Sequence, residues 1–113
     1  MATVSRQNLN DRRLERRYPV KVALEYWIII RNRKVLTGIG GTVDISSSGV
    51  FIQTANALPS GVKVELSLAW PARLNSTVAL KLHVIGQTVR TQGSCTAVVI
   101  RQHAFRTSGM PIR

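Results

Sequence analysis

From Val20 the chain alternates apolar and polar side chains. Val20, Val22, Leu24, Tyr26 and Ile28 share one face and Lys21, Ala23, Glu25 and Trp27 the other, which predicts a half-buried strand. The same period-two pattern is cleanest in two later stretches. In one, Val62, Val64, Leu66 and Leu68 alternate with Lys63, Glu65 and Ser67; in the other, Val78, Leu80, Leu82 and Val84 alternate with Ala79, Lys81 and His83. Further β-prone stretches are Lys34 to Thr37 leading into Thr42 to Ile45, Val50 to Thr54, Gln87 to Arg90, and Ser94 to Ile100. Turn-formers separate them at Gly38, Gly40-Gly41, Asn56, Pro59-Ser60-Gly61, Pro71 and Gln92-Gly93, so the pattern predicts an all-β antiparallel barrel or sandwich. No long stretch carries a helical period, which leaves room only for a short helical turn near Ala69 to Leu74 or at the C-terminal end.

Before Val20 the alternation is missing. Residues 1–10 are polar and aperiodic, and Asp11 to Arg17 are almost wholly charged, so the first 17 residues bury little by themselves and are expected to form a mobile N-terminal arm. The expected organisation is a flexible tail over 1–10 followed by one domain over 11–113; a chain of 113 residues has room for one modest core. Cys95, the only cysteine, cannot form an internal disulfide, and the N-terminus has no apolar signal stretch, so the expected compartment is the reducing cytoplasm. The apolar runs are far shorter than the roughly 20 residues of a spanning helix, and no membrane insertion is expected.

Charge narrows the function. Sixteen basic residues against five acidic give a net +11, and twelve of the sixteen are arginine, whose planar fork suits phosphates and guanine edges. A polyanionic partner is the first expectation. Catalysis is poorly supplied: the five acids form no obvious pair, and His83, His103 and Cys95 show no zinc-like spacing, so neither an enzyme nor a metal site is expected. Cys95 reads as a small buried hydrophobe. Gly38-Ile39-Gly40-Gly41 lacks both the dinucleotide spacing and a P-loop lysine, and reads as a glycine-rich hairpin turn.

Two segments stand out. In Asp11-Arg12-Arg13-Leu14-Glu15-Arg16-Arg17-Tyr18-Pro19-Val20, four arginines crowd together ahead of a strand and repel one another unless an anion is present. A solvated charge run is the plain alternative. In Thr42-Val43-Asp44-Ile45-Ser46-Ser47-Ser48-Gly49-Val50-Phe51 a strand passes through a polar turn and resumes. Asp and Ser side chains can cap backbone N–H groups there and Gly49 can take a positive φ, so a purely structural turn also fits.

Together and in this order the two segments resemble the PilZ domain, a bacterial receptor module for cyclic di-GMP. The family pattern is R-x-x-x-R just before the first strand and then D/N-x-S-x-x-G. Arg13 and Arg17, directly ahead of Tyr18-Pro19-Val20, match the first element; Asp44, Ser46 and Gly49 match the second. Arg12 with Arg16 satisfies the arginine spacing as well. In the family, a further arginine at the position of Arg12 often accompanies binding of a stacked ligand dimer. Leu82 to Arg90 and Ala97 to Ile100 also resemble two of the family's strands, so the likeness covers about residues 11 to 106.

The resemblance implies a six-stranded antiparallel β-barrel that binds cyclic di-GMP, as one molecule or a stacked dimer, without catalysis or cofactor, and signals to a downstream protein. The ligand-binding residues it implies are Arg12, Arg13, Arg17, Asp44, Ser46 and Gly49. Arginine forks suit the phosphodiesters and the O6 and N7 acceptors of guanine, and stack on its faces; a carboxylate such as Asp44 suits guanine's N–H donors and rejects adenine. Ser46 adds one hydrogen bond, and Gly49 removes a side chain where backbone and ligand approach. Two rival expectations are a PilZ-like adaptor that acts by protein contacts without nucleotide, and a basic β-barrel that binds RNA or single-stranded DNA. Six scattered aromatics, Tyr18, Tyr26, Trp27, Phe51, Trp70 and Phe105, make a poor stacking platform for the latter.

Overall fold

The computed structural model describes residues 18–74 and 78–107, with backbone only at 72–74. The expected tail over 1–10 and the arm to Arg17 lie outside these residues. The alternating stretches form six strands, β1 (Ala23–Ile30), β2 (Arg33–Ile45), β3 (Gly49–Thr54), β4 (Lys63–Leu74), β5 (Val78–Gln92) and β6 (Cys95–Thr107), and no described residue is helical. Every pairing is antiparallel, and the order β1-β2-β3-β6-β5-β4 closes one sheet into a ring, because β1 pairs with both β2 and β4. Closure removes most of the exposed sheet edge.

The inward face is the apolar set of the alternation: Leu24, Tyr26 and Ile28 from β1, Val64, Leu66 and Leu68 from β4, and Leu82 and Val84 from β5 are all buried. Ile52, Val50 and Val98 meet them from the other side of the ring. Val20, Val22 and Val62 pack on this core from just outside the strands.

Two local expectations are corrected. Residues 69–74 continue β4 rather than turning helically; Pro71 is accommodated because the register with β5 shifts between Trp70 and Arg73. The alternative place for such a turn, the C-terminal end, lies outside the described residues, which remain extended to Thr107 in β6. Gly38 to Gly41 make no turn but lie inside β2, which pairs with β1 through all four. Glycine is needed there for space: a Cβ on Gly38 would stand 2.5 Å from the Tyr26 hydroxyl oxygen, and one on Gly40 would strike the Gln53 carbonyl. The β1–β2 turn is made instead by Arg31 and Asn32, both at positive φ (54° and 65°).

Buried threonines tie the loops to the ring. Thr88 is fully buried on β5; its Oγ1 donates to the Pro59 carbonyl at 2.7 Å and accepts from the Val62 N–H at 3.0 Å, which fixes the connection between β3 and β4. Thr88→Val keeps the shape and strands both backbone groups. Urea unfolding is expected to show a loss of about 2 kcal/mol with an unchanged m-value.

Candidate functional site

The site is built on the turn between β2 and β3. Ser46 N–H donates to the Gly49 carbonyl at 2.8 Å, while Ser46 Oγ accepts from the Gly49 N–H and donates to its carbonyl, both at 3.2 Å. Ser46 is itself buried, so its hydroxyl holds the turn closed. The Ser48 carbonyl accepts from Ile100 N–H at 2.8 Å and anchors the turn to β6. Gly49 does not use the left-handed freedom that the sequence allows it; the described glycines at positive φ are Gly61 and Gly93. What the position requires is room, since a Cβ there would lie 3.1 Å from the Val98 carbonyl.

Directly after the arginine run, the chain lies beside the strand that leads into this turn. Tyr18 and Ile45 exchange backbone hydrogen bonds at 2.8 and 3.0 Å, and Val22 and Thr42 are joined by Thr42 N–H to the Val22 carbonyl at 2.9 Å. The buried Thr42 hydroxyl donates to the Val20 carbonyl and accepts from Val22 N–H at 2.9 Å. Residues 18–22 are therefore clamped along the part of β2 that carries Asp44. Arg12, Arg13 and Arg17 themselves lie outside the described residues.

A bulge aims Asp44. Thr42 faces Ile52 and Asp44 faces Phe51, so Val43 is the extra residue in β2. Strict alternation from the buried Thr42 would turn Asp44 inward with it; the bulge reverses the phase, buries Ile45 and leaves Asp44 half-exposed. β5 repeats the device. Thr88 faces Val98 and Arg90 faces Ala97, so Val89 is the extra residue and Arg90 turns outward. Phe51 in turn pairs with Ala97.

Asp44, Phe51, Ala97 and Arg90 consequently form one outward-facing row across β2, β3, β6 and β5. Three inter-strand steps separate its charged ends by about 14 Å. The row lies in a groove of about 520 Å³, lined also by Gly49 and Val98, in which small residues lower the floor between an anionic and a cationic wall. On the other flank of the turn, Ser46 and Ser47 border an apolar cavity of similar volume with Tyr18, Ile45, Trp70 and Phe105.

Of the residues singled out from the sequence, Asp44, Ser46 and Gly49 are brought together. Asp44 and Gly49 face the groove, while Ser46 organises the turn. Arg90 was not among them: the sequence placed it at the end of a strand resembling one of the PilZ family's, but its direction depends on the bulge at Val89. Cys95 is half-buried beside the β5–β6 turn, outside the groove. His83 meets Glu65 at 3.5 Å on β4 and β5, also away from the site, and no three His, Cys, Asp or Glu side chains gather as metal ligands among the described residues. No described helix is long and apolar enough to cross a membrane. No protein-family model and no curated protein matches this chain.

Proposed function

We propose that the protein is a non-enzymatic receptor for cyclic di-GMP, built on a PilZ-like ring, and that the nucleotide lies in the groove between Asp44 and Arg90. The observation that carries the reading is the outward row Asp44-Phe51-Ala97-Arg90, beside which the chain arrives from its arginine run at Tyr18. The ligand offers what such a groove can use: guanine N–H donors for a carboxylate, phosphodiester oxygens and O6/N7 acceptors for guanidinium groups, and base faces for Phe51 and arginine planes. A span of about 14 Å exceeds a single purine and suits a ligand with two.

In this reading Asp44 selects guanine, Arg90 holds a phosphate or a guanine edge, and Gly49 and Ala97 let the bases approach the sheet. Ser46 keeps Asp44 and Gly49 in register. Arg13 and Arg17 clamp the ligand from the Tyr18 side, and Arg12 supports a second, stacked molecule. Ordering of the arginine segment beside the apolar cavity at Tyr18 and Phe105 presents a new surface to a downstream protein.

Titration calorimetry at near-physiological salt tests this, with cyclic di-AMP and GTP in parallel and Arg17→Ala as the variant. The expected result is saturable, guanine-selective binding that Arg17→Ala loses, with a stoichiometry of two if Arg12 supports a stacked pair. Absence of binding at high micromolar ligand overturns the proposal. Steeply salt-dependent binding of single-stranded DNA or RNA without guanine preference would assign the groove to nucleic acid instead.

A further inference from the structure

The β1–β2 hairpin, at the other end of β2 from the site, combines features that the groove does not explain. Between Glu25 and Asp44 the sequence contains no acid, yet Arg31, Arg33 and Lys34 cluster at the tip. Interleaved with them are exposed apolar side chains, Ile30 at 46%, Val35 at 53% and Leu36 at 50% relative exposure, followed by Ile39 at 73%. At the tip itself, from Ile30 to Leu36, large aliphatic groups this open are set among cations with no acid between them, the nearest cross-strand carboxylate, Glu25, facing Ile39 further along β2. Such a tip matches the interface of an anionic bilayer, where the aliphatic groups enter the headgroup layer and the cations meet phosphates.

The turn chemistry points the same way. A two-residue turn with positive φ at both positions is ordinarily filled by Asn-Gly or Asp-Gly; here Arg31 occupies the first place at φ 54°, at a steric cost an ordinary tight turn would avoid. The cost places a guanidinium at the apex of the hairpin. We infer that the tip formed by Ile30, Arg31, Arg33, Lys34, Val35 and Leu36 docks the protein peripherally onto an anionic lipid surface, leaving the nucleotide groove about 30 Å away along β2.

Three other occupants fit less well. Before Gly40, from Arg33 to Ile39, β2 pairs with no described strand except β1, which leaves an edge that a partner strand could join. A basic edge with a register shift at Ile28/Ile29, where Val35 is the extra residue, carries two devices that oppose strand addition. A second copy is disfavoured by a net charge of +11 on each chain. Nucleic acid would call for an open aromatic face, whereas Lys34 Nζ sits 4.8 Å above the Trp27 ring.

Sedimentation of the full chain with phosphatidylcholine vesicles, pure or doped with phosphatidylglycerol, tests the inference. Binding should require the anionic lipid. Arg31→Gln with Arg33→Gln is expected to weaken partition by on the order of 30-fold, about fivefold per cation. Val35→Ser with Leu36→Ser, which leaves charge unchanged, should weaken it by about tenfold. Lys81→Gln with Arg106→Gln removes the same charge elsewhere and controls for the overall field. Equal losses in the two charge variants, or an apolar variant that binds like the wild type, would overturn the inference. So would a wild-type chain indifferent to anionic vesicles, including one that instead pairs with a second copy through this hairpin. None of these outcomes depends on whether the groove binds cyclic di-GMP.

Discussion

Asp44→Ala is expected to weaken cyclic di-GMP binding about 100-fold, or about 2.7 kcal/mol, the loss of a charged acceptor serving two guanine donors in a partly desolvated groove. Calorimetry reads the change directly. Glu25→Ala, which removes a carboxylate from the outer face of β1, should leave the affinity within about twofold, because Glu25 lies outside the groove. An Asp44→Ala variant that binds as tightly as the parent would remove the carboxylate from the recognition scheme and leave only arginine contacts, which do not distinguish guanine from other anionic ligands as sharply. Arg90→Ala should fall between the two, since an exposed guanidinium contributes through one fork to an oxygen that water also reaches.

Gly86→Val is expected to be the most damaging single change for stability. A Cβ at position 86 would overlap the Val99 carbonyl and stand 2.8 Å from Val98 Cγ1, so a branched side chain must force β5 and β6 apart. The obstacle is backbone, and it lies at the register shift between Ile85 and Gly86, two residues from the fully buried Thr88. Overpacking of this kind costs about 3 kcal/mol, which for a domain of this size lowers the thermal midpoint by on the order of 15 °C. Gly41→Ala is the matched control: its Cβ meets only the Val22 carbonyl at an ordinary 3.6 Å, and its midpoint should barely move. Similar midpoints for the two variants would mean that the β5–β6 pair yields more readily than its packing implies.

Much of the ring was legible from alternation because a sheet with one buried face writes that face into every second residue. Leu24, Tyr26 and Ile28, and likewise Val64, Leu66 and Leu68, follow the rule without interruption and are buried as it predicts. The rule loses track wherever one residue is inserted. Val43, Val89 and the β6 residue Arg101 are such insertions, and nothing in their identity distinguishes them from ordinary strand residues. Glycine misled for a related reason. Gly38 and Gly40 look locally like turn-formers, but their missing side chains make room for Tyr26 and for the β3 backbone, neighbours that only the folded ring supplies.

The candidate site divides in the same manner. Asp44, Ser46 and Gly49 are close in the chain, so a short motif could mark them, and the hydrogen bonds of Ser46 to Gly49 follow from that closeness. Arg90 is 46 residues beyond Asp44 and joins it through three strand pairings and two bulges. By itself, then, the sequence determined the strand-rich class, the inward apolar face, the basic character and the turn motif, because each is a local pattern of side-chain type. Only the tertiary structure decided which charged residues share a face, since a bulge reverses the direction of every side chain beyond it and ring closure alone brings distant strands side by side.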